Sequence, residues 1–251
     1  MGLDDTQSER MDLSALLQGI EEGELGVPEF QRDFDWGVPD VKALLVTILN
    51  DWPAGSLLLL NAKSSPLRTR GFEGGPQPSD PRLVVLDGQQ RLTALYQALY
   101  NTGDAVYALS YAELGEFNLD SLEESLVAFD RSVWNRGFRE PRAQLAASLV
   151  PMYALKSAAD FFDWRDRILA VAPDAERRAL NERLTALYRS SLAGVHRYRF
   201  PTVTLPASVS PLAVARIFER VNKTGISLGP FDLVVARTYV QDWNQIGRAH
   251  V

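Results

Sequence analysis

An apolar strand that stops at an Asp-Gly pair and runs straight into a helix constrains this chain more than any other feature. Leu83 to Leu86 has the length of a buried strand, and Gln89 to Tyr100 repeats apolar residues at helical spacing. Only Asp87 and Gly88 lie between them. A helix that begins at the end of a buried strand leaves its first backbone N–H groups without partners. The sequence therefore predicts a strand-to-helix turn that binds an anion.

The side chains at this turn suit a phosphate. Gly88 lets an anion approach the backbone closely, and Arg91 can donate two parallel hydrogen bonds to phosphate oxygens. Asp87 can orient a water or hold Mg²⁺, and the amides of Gln89 and Gln90 can place a water or contact a sugar or base. An Asp-Gly pair before a helix is also an ordinary turn and cap, so these residues alone leave both interpretations open.

The rest of the chain predicts an α+β fold, with strands and helices in the front half and a mostly helical back half. Short apolar runs predict strands at 56–60, 83–86, 106–111 and 198–205. Apolar residues at helical spacing predict helices at 12–22, 41–51, 89–100, 158–171, 174–192, 211–221 and from Phe231 onward. Asp40 is the predicted cap of the second of these helices. Residues 61–82 lack periodicity, which is typical of a functional or disordered loop.

The composition excludes several classes of protein. The chain has no cysteine, which excludes a disulfide framework and a cysteine nucleophile and fits a reducing cytoplasm. No apolar run approaches the roughly 20 residues that a membrane span needs. The acidic start of the chain is unlike a signal peptide. We therefore expect a cytoplasmic protein without a membrane partner.

Charge is distributed unevenly along the chain. Residues 1–130 carry 8 Lys and Arg against 22 Asp and Glu, whereas residues 131–199 carry 13 against 7, and 12 of these 13 are arginines. An arginine-rich middle region is a candidate contact for DNA phosphates. Surface helices also carry arginines simply to face the solvent, and this alternative stays open.

Two further polar clusters are weak signals when taken alone. Gln31 and Arg32 lie on an extended segment, where an arginine beside an amide can contact an anion. Residues 218–225 end an apolar helix in Asn-Lys-Thr-Gly. In that ending, Asn222 and Thr224 can either close the helix or line a phosphate site.

Together these clusters occur in the order of a known family. The segments are Val27-Pro28-Glu29-Phe30-Gln31-Arg32 with Trp36, Pro53-Ala54-Gly55-Ser56, Leu86-Asp87-Gly88-Gln89-Gln90-Arg91-Leu92-Thr93 and Phe218-Glu219-Arg220-Val221-Asn222-Lys223-Thr224-Gly225. In these segments the chain resembles the N-terminal domain of GmrSD-type modification-dependent restriction enzymes, which is related to the ParB/sulfiredoxin-like fold. The resemblance spans about residues 13–242, and its most specific part is Asp-Gly-Gln-Gln-Arg preceded by Phe-Gln-Arg.

The resemblance implies a ParB/sulfiredoxin-like small mixed sheet with flanking helices, which binds and hydrolyses a nucleoside triphosphate with Mg²⁺. It also implies that hydrolysis is coupled to recognition of modified phage DNA. An HNH-type nuclease then cuts this DNA, and it is either a downstream domain or a partner subunit. By motif, the catalytic residues are Asp87, Gln90 and Arg91, with Asp87 as the Mg²⁺ ligand. The nucleotide-binding residues that it implies are Gln31, Arg32, Gly88, Gln89, Asn222 and Thr224.

We divide the chain into a ParB-like nucleotide-binding core at 1–130, a mostly helical part at 131–245 that completes the same domain, and a foreign ending at 246–251. The last six residues match what a common sequencing adapter encodes, so we expect the natural sequence to be interrupted near Gln245, before its nuclease domain. His196, the one histidine before that point, and the lack of cysteine supply too few ligands for an HNH metal centre here. His196 itself is expected to be structural.

Two other functions stay open beside the hydrolysis of a nucleoside triphosphate. The chain has no Gly-Lys-Ser or Gly-Lys-Thr phosphate loop, so the expected enzyme is not a P-loop NTPase. In the first alternative, the same turn binds a nucleotide or a DNA phosphate without hydrolysis. In the second, the ParB-like domain itself nicks DNA. Multiple-turnover phosphate release tests the first alternative, and plasmid nicking without a triphosphate tests the second.

Overall fold

A six-stranded mixed sheet forms the centre of the computed structural model, which describes residues 6–62, 67–112, 119–210 and 212–217. In spatial order its strands are β1 (Gln7–Asp12), β9 (Arg199–Leu205), β3 (Leu57–Asn61), β5 (Leu83–Asp87), β2 (Leu25–Pro28) and β4 (Thr69–Arg70). The β9–β3 and β2–β5 pairs are parallel, and the other three pairs are antiparallel. The mixed sheet expected for the front half is therefore confirmed.

Strand β5 is buried on both faces, which explains its uninterrupted apolar sequence. On one face, Leu83 and Val85 join the main core beneath α1 (Leu13–Glu21), α2 (Val38–Leu49) and α3 (Gln89–Tyr100). On the other face, Val84 and Leu86 pack in a smaller cluster with residues of β3 and β9. The end of β5 is thus fixed in position, and α3 starts from it.

A second, three-stranded antiparallel sheet lies in the middle of the chain, and one of its strands agrees with the strand predicted at 106–111. Its strands, in spatial order, are β7 (Leu126–Asp130), β6 (Ala105–Ser110) and β8 (Leu149–Pro151). The helices around it are α4 (Leu119–Ser125), α5 (Arg131–Gly137), α6 (Pro141–Ala146) and a 3₁₀ turn at Met152–Leu155. Strand β7 was missed because α4 runs directly into it and α5 directly follows it, without the Gly or Pro that usually marks a strand end.

The remaining helices agree closely with their apolar patterns. Helix α7 spans Ala158–Val171, the predicted range. The single helix predicted at 174–192 is α8 (Asp174–Leu187) followed by a π-helical turn at Tyr188–Leu192. Helix α9 (Gly194–Arg197) follows, and β9 then returns to the large sheet between β1 and β3.

Helix α2 begins earlier than its predicted cap. Asp40 was the predicted cap, but the helix starts at Val38 with Gly37 as the cap residue. The Asp40 carboxylate instead accepts a hydrogen bond from the Gly37 N–H at 3.0 Å, one helical turn inside the start. Pro39 fits in the first turn because that position needs no N–H donor.

Several expectations fall outside the described part of the chain. Residues 212–217 are helical, as predicted after Pro211. Asn222, Thr224, the helix predicted from Phe231 and the ending at 246–251 all lie beyond the described residues. Among the helices that the structure describes, none is long and apolar enough to cross a membrane.

Candidate functional site

The strand-to-helix turn, residues 87–91, has the backbone that an anion site requires. Gly88 caps α3 in the left-handed region, with φ 98° and ψ 8°, and no side chain caps the helix. The Leu92 N–H makes the first bond of the helical ladder, to the Gly88 carbonyl at 3.0 Å. In the described ranges, no group accepts a hydrogen bond from the backbone N–H groups of residues 88–91. These donors lie at the positive end of the helix dipole, at a turn where Gly88 and Gln89 are buried and Gln90 and Arg91 are half-buried.

The Arg91 guanidinium lies between two glycines in the left-handed region. Gly55 has φ 79° and Gly88 has φ 98°. A Cβ atom at Gly55 would lie 2.5 Å from Arg91 Nη1, and one at Gly88 would lie 3.3 Å from Nη2. From the sequence, Gly55 was identified only as part of the motif Pro53-Ala54-Gly55-Ser56. The structure shows that it also makes room for the arginine.

Arg91 uses its guanidinium to hold the chain around it. Its Nη1 donates to the Ala54 carbonyl at 2.7 Å, and its Nη2 donates to the Ser56 carbonyl at 2.8 Å and to Asp87 Oδ2 at 3.0 Å. A guanidinium has two edges that can grip an oxyanion with paired N–H groups, and both include Nη2. Because Nη2 has both hydrogens engaged, the two-pronged phosphate contact expected from the sequence requires Arg91 to release a partner.

The loop at residues 52–56 is held a second time, by a residue that the sequence did not single out. The Tyr198 hydroxyl accepts from the Ala54 N–H at 2.8 Å and donates to the Trp52 carbonyl at 2.7 Å. Tyr198 lies more than 140 positions away in the chain, at the end of α9, and no local pattern connects it with this loop. Arg91 and Tyr198 therefore hold the same loop from two sides.

Asp87 retains one carboxylate oxygen for a ligand. Its Oδ2 pairs with Arg91, its Oδ1 has no hydrogen bond to any described residue, and its side chain is 32% exposed. In the described part of the chain, no group of three or more His, Asp or Glu side chains is arranged to hold a metal ion by itself. Mg²⁺ commonly binds through one or two carboxylates while phosphates and waters supply the other ligands. Asp87 fits that role.

Gln89 and Gln90 hold a segment that we call the strap, residues 31–36. The Gln89 Nε2 atom donates to the Arg32 carbonyl at 3.0 Å. Gln90 donates to the Asp33 carbonyl at 2.9 Å and accepts from the Asp35 N–H at 3.1 Å. Both ends of the Gln90 amide are thus engaged by the backbone of the strap. The two glutamines fix the strap against the start of α3, a role that sequence reasoning did not assign to them.

Gln31 completes the hydrogen bonding of β5 after β2 leaves the sheet. Strand β2 pairs with β5 only as far as Val84. The buried Gln31 side chain then donates to the carbonyls of Val85 at 3.1 Å and Leu86 at 2.9 Å. Its Oε1 atom is buried and has no hydrogen-bond partner among the residues that the structure describes. Gln31 therefore stabilises the end of β5 and keeps one acceptor unused.

Three arginine–aspartate pairs gather at the strap and the turn. They are Arg91–Asp87 at 3.0 Å, Arg32–Asp35 at 2.9 Å and Arg70–Asp33 at 3.2 Å. Arg70 was not singled out by sequence reasoning, since it lies in the stretch predicted as a loop. Each positive charge is thus accompanied by a carboxylate, so an anion that binds here must compete with these carboxylates unless a cation accompanies it.

His196 lies in an aromatic stack away from these contacts. Its ring stacks on Tyr188, and its Nε2 lies 3.4 Å from the Tyr188 hydroxyl. Its Nδ1 is buried and has no hydrogen-bond partner within the described residues. Burial, with a smaller effect of the Arg197 charge, lowers the pKa of His196. A half-buried, stacked imidazole agrees with the structural role expected for it.

The comparisons with known proteins agree with the motif order. The family described as "GmrSD restriction endonuclease, N-terminal domain" matches residues 13–239, which include the strap, the 52–56 loop and the strand-to-helix turn. The uncharacterized protein MJ0686 of Methanocaldococcus jannaschii is 28% identical over 257 residues, covering 91% of this chain and 41% of that protein. The chain therefore spans less than half the length of this relative. Because the family model matches most of its length, the chain belongs to the family of the GmrSD restriction endonuclease N-terminal domain.

Proposed function

We propose that the strand-to-helix turn binds a nucleoside triphosphate and hydrolyses it, within a restriction system that acts on modified DNA. The observation that supports this most directly is the row of unpaired N–H groups at residues 88–91, beside the Arg91–Asp87 pair. Backbone donors at a helix start suit a phosphate, and they are already in place before the ligand binds.

In this proposal the terminal phosphate accepts hydrogen bonds from the first N–H groups of α3. Arg91 stabilises charge that develops on the transferred phosphoryl group, through its remaining N–H donors or by exchanging a partner for a phosphate oxygen. Mg²⁺, held by Asp87 and the phosphates, would supply neutralising charge. The positive charge of Mg²⁺ suits the site because each arginine there is already paired with a carboxylate, which offsets the arginine's own charge.

The strap completes the proposed nucleotide site. Arg32, whose guanidinium is exposed and paired only with Asp35, contacts the outer phosphates. Gln31 supports the site by binding the end of β5, since its Nε2 donates to the Val85 and Leu86 carbonyls and its Oε1 is buried. Gln89 and Gln90 act by holding the strap in place. Asn222 and Thr224 also close the site in this proposal, and the support for their role is the family motif at residues 218–225.

Multiple-turnover phosphate release from ATP and GTP, with Mg²⁺, tests the proposal. We expect the unaltered chain to release more phosphate than there are protein molecules, and to stop when EDTA removes the metal. Tight binding of the triphosphate without phosphate release would support the binding-module alternative instead. Nicking of a supercoiled plasmid with metal and no triphosphate would support the alternative of a nicking domain.

The arginine-rich middle region divides into two groups in the structure. Six of its 12 arginines donate to acceptors within the described residues: Arg131, Arg165, Arg177, Arg178, Arg183 and Arg199. The side chains of the other six make no hydrogen bond or ion pair with any described residue, and they are Arg136, Arg139, Arg142, Arg167, Arg189 and Arg197. The first group has a structural explanation, and the second remains available to a partner.

Within the second group, we call Arg139, Arg142 and Arg167 the arginine corner: all three are exposed, the first two flank the start of α6, and Arg167 lies on α7, which packs against α6. The Gln144 Nε2 atom donates to the Arg139 carbonyl at 3.2 Å and lies 3.4 Å from the Tyr153 hydroxyl. Burial raises the pKa of Tyr153, and hydrogen bonds with Gln144 and Trp134 and then the positive charge of Arg167 oppose this rise. We propose that this arginine corner contacts the phosphates of modified DNA, because guanidinium groups bind phosphates well.

Removing three charges from the arginine corner should weaken DNA binding. For Arg139→Gln, Arg142→Gln and Arg167→Gln combined, we expect a loss of about tenfold or more in affinity for a short duplex. The slope of log K against log salt should also fall by about 2 to 3, since each phosphate contact contributes about 0.9. Fluorescence anisotropy over a salt series measures both quantities.

The matched control removes three exposed arginines elsewhere, by Arg10→Gln, Arg82→Gln and Arg178→Gln. It changes the net charge by the same amount and should alter the affinity less than about twofold, because exposed charges far apart are screened. An equal loss of affinity in both triple variants would show that only net charge matters, and it would contradict the assignment of the corner. In the complete system, we propose that an HNH-type nuclease domain or subunit cuts the DNA.

A further inference from the structure

The strap is held from two opposite sides. On one side, Gln89 and Gln90 bind its backbone from the start of α3. On the other side, Arg70 Nη2 donates to the Gln31 carbonyl at 3.1 Å and to the Arg32 carbonyl at 2.9 Å. The Arg32 carbonyl therefore receives hydrogen bonds from both sides. A segment held in this way has one preferred position, and its side chains start from fixed points.

We infer that Arg70 is a positioning residue, which sets the place of the strap and therefore of Arg32 at the nucleotide site. This inference rests on the proposed function, because the position of Arg32 matters for a nucleotide only if the site binds one. The hydrogen bonds of Arg70 do not depend on that function. Arg70 lies in the stretch that the sequence predicted as an unstructured loop, between two recognised motifs.

The backbone around Arg70 is anchored well enough to serve this role. Strand β4 pairs with β2 through Val27 with Arg70 and Pro28 with Thr69. The Glu29 N–H also donates to the Arg68 carbonyl at 3.1 Å. Phe72, which is only 2% exposed, fixes the chain just after β4 in the main core. Arg70 thus extends from a fixed edge strand toward the strap.

The contacts to the two carbonyls matter more than the ion pair of Arg70. Its partner Asp33 has a side chain that is 89% exposed, and an ion pair so open to water contributes little. The carbonyl contacts instead require donors aimed at two neighbouring acceptors, with Nη1 reaching the Gly71 carbonyl at 3.4 Å as well. A lysine keeps the charge at this place but lacks the planar group of donors.

Arg70 and Arg91 hold different parts of the site. Arg91 binds the 52–56 loop and Asp87, whereas the Arg70 side chain, within the described residues, makes its hydrogen bonds and ion pair with the strap and with its neighbour Gly71. Loss of Arg70 should therefore displace Arg32 and weaken the binding of the nucleotide. It should leave Arg91, which stabilises the reacting phosphate in the proposed function, in place. In kinetic terms, KM should change and kcat should not.

The test compares Arg70→Met and Arg70→Lys with the control Arg68→Met in the full chain. Arg68 lies two positions away and is exposed, and its side chain contacts no described partner. We expect both Arg70 variants to raise KM for the triphosphate about tenfold, which corresponds to 1.4 kcal/mol, with kcat changed less than about threefold. Arg68→Met should leave both constants unchanged.

Hydrogen exchange gives a second measurement that does not depend on hydrolysis. Backbone amides of residues 29–36 should exchange faster in both Arg70 variants, while those of α7 keep their protection. Unchanged KM and unchanged exchange in folded Arg70→Met would overturn the inference, and so would full rescue by lysine. If the unaltered chain releases no phosphate, the proposed function fails, and the exchange of residues 29–36 still decides whether Arg70 positions the strap.

Discussion

We expect Arg91→Ala to lower phosphate release by a factor of about 100 or more, the effect of losing one preorganised donor to a transition state. The same change should lower the free energy of unfolding by about 2 to 3 kcal/mol, because it removes three hydrogen bonds from a mostly buried side chain. Arg91→Lys should restore little of either, since an ammonium cannot hold Asp87 and the loop carbonyls together. Phosphate release and urea unfolding measure the two effects.

Tyr198→Phe separates the chemical role of Arg91 from its structural one. This variant also weakens the 52–56 loop, by removing the hydroxyl that binds Trp52 and Ala54, but it leaves the guanidinium beside Asp87. It should lower the free energy of unfolding by about 1 kcal/mol and keep phosphate release within about threefold of normal. If folded Tyr198→Phe loses as much hydrolysis as Arg91→Ala, then Arg91 acts only by ordering the loop.

Gly88→Ala should be the most destabilising single change at the turn, by about 3 kcal/mol or more in the free energy of unfolding. Gly88 has φ 98°, where a side chain is strained, and its added Cβ would lie 2.2 Å from Leu57 Cδ2 in the core. The Leu57 side chain must shift to make room, and it has little space to do so because it is only 1% exposed. Urea unfolding of the purified variant measures the loss, and complete failure to fold agrees with it.

Gly137→Ala is the matched control for this change. An added Cβ at Gly137 would meet no atom within 4 Å. Because alanine favours a helix over glycine, this variant should be as stable as the unaltered chain or more stable by up to about 1 kcal/mol. A Gly88→Ala variant that unfolds at the same urea concentration as Gly137→Ala would show that the turn does not need its left-handed glycine.

The elements with strong periodicity were predictable from the sequence, and those set by tertiary contacts were not. Helices α3 and α7 match their apolar patterns because their inward faces repeat at helical spacing. Strand β8 was missed because it has only three residues, and β7 because helices adjoin it at both ends; both pair with β6. The π-helical turn after α8 leaves no signal in the apolar pattern.

The strand-to-helix turn could be predicted from the sequence, whereas the side-chain contacts around it could not. The sequence indicated the turn because a strand, a glycine and a helix follow each other there. It did not show that Gln89 and Gln90 bind the strap, since the spacing between them and residues 32–35 carries no local signal. Arg70 and Tyr198 act on the site through partners far away in the chain, and only the fold brings those partners together.

The most direct test of the central claim is a crystal structure of the chain with Mg²⁺ and a non-hydrolysable triphosphate. Our account predicts that a phosphate accepts hydrogen bonds from the backbone N–H groups of residues 88–90, with Asp87 on the side of the metal and Arg32 at the outer phosphates. Phosphates bound elsewhere, with those N–H groups still unpaired, would contradict it.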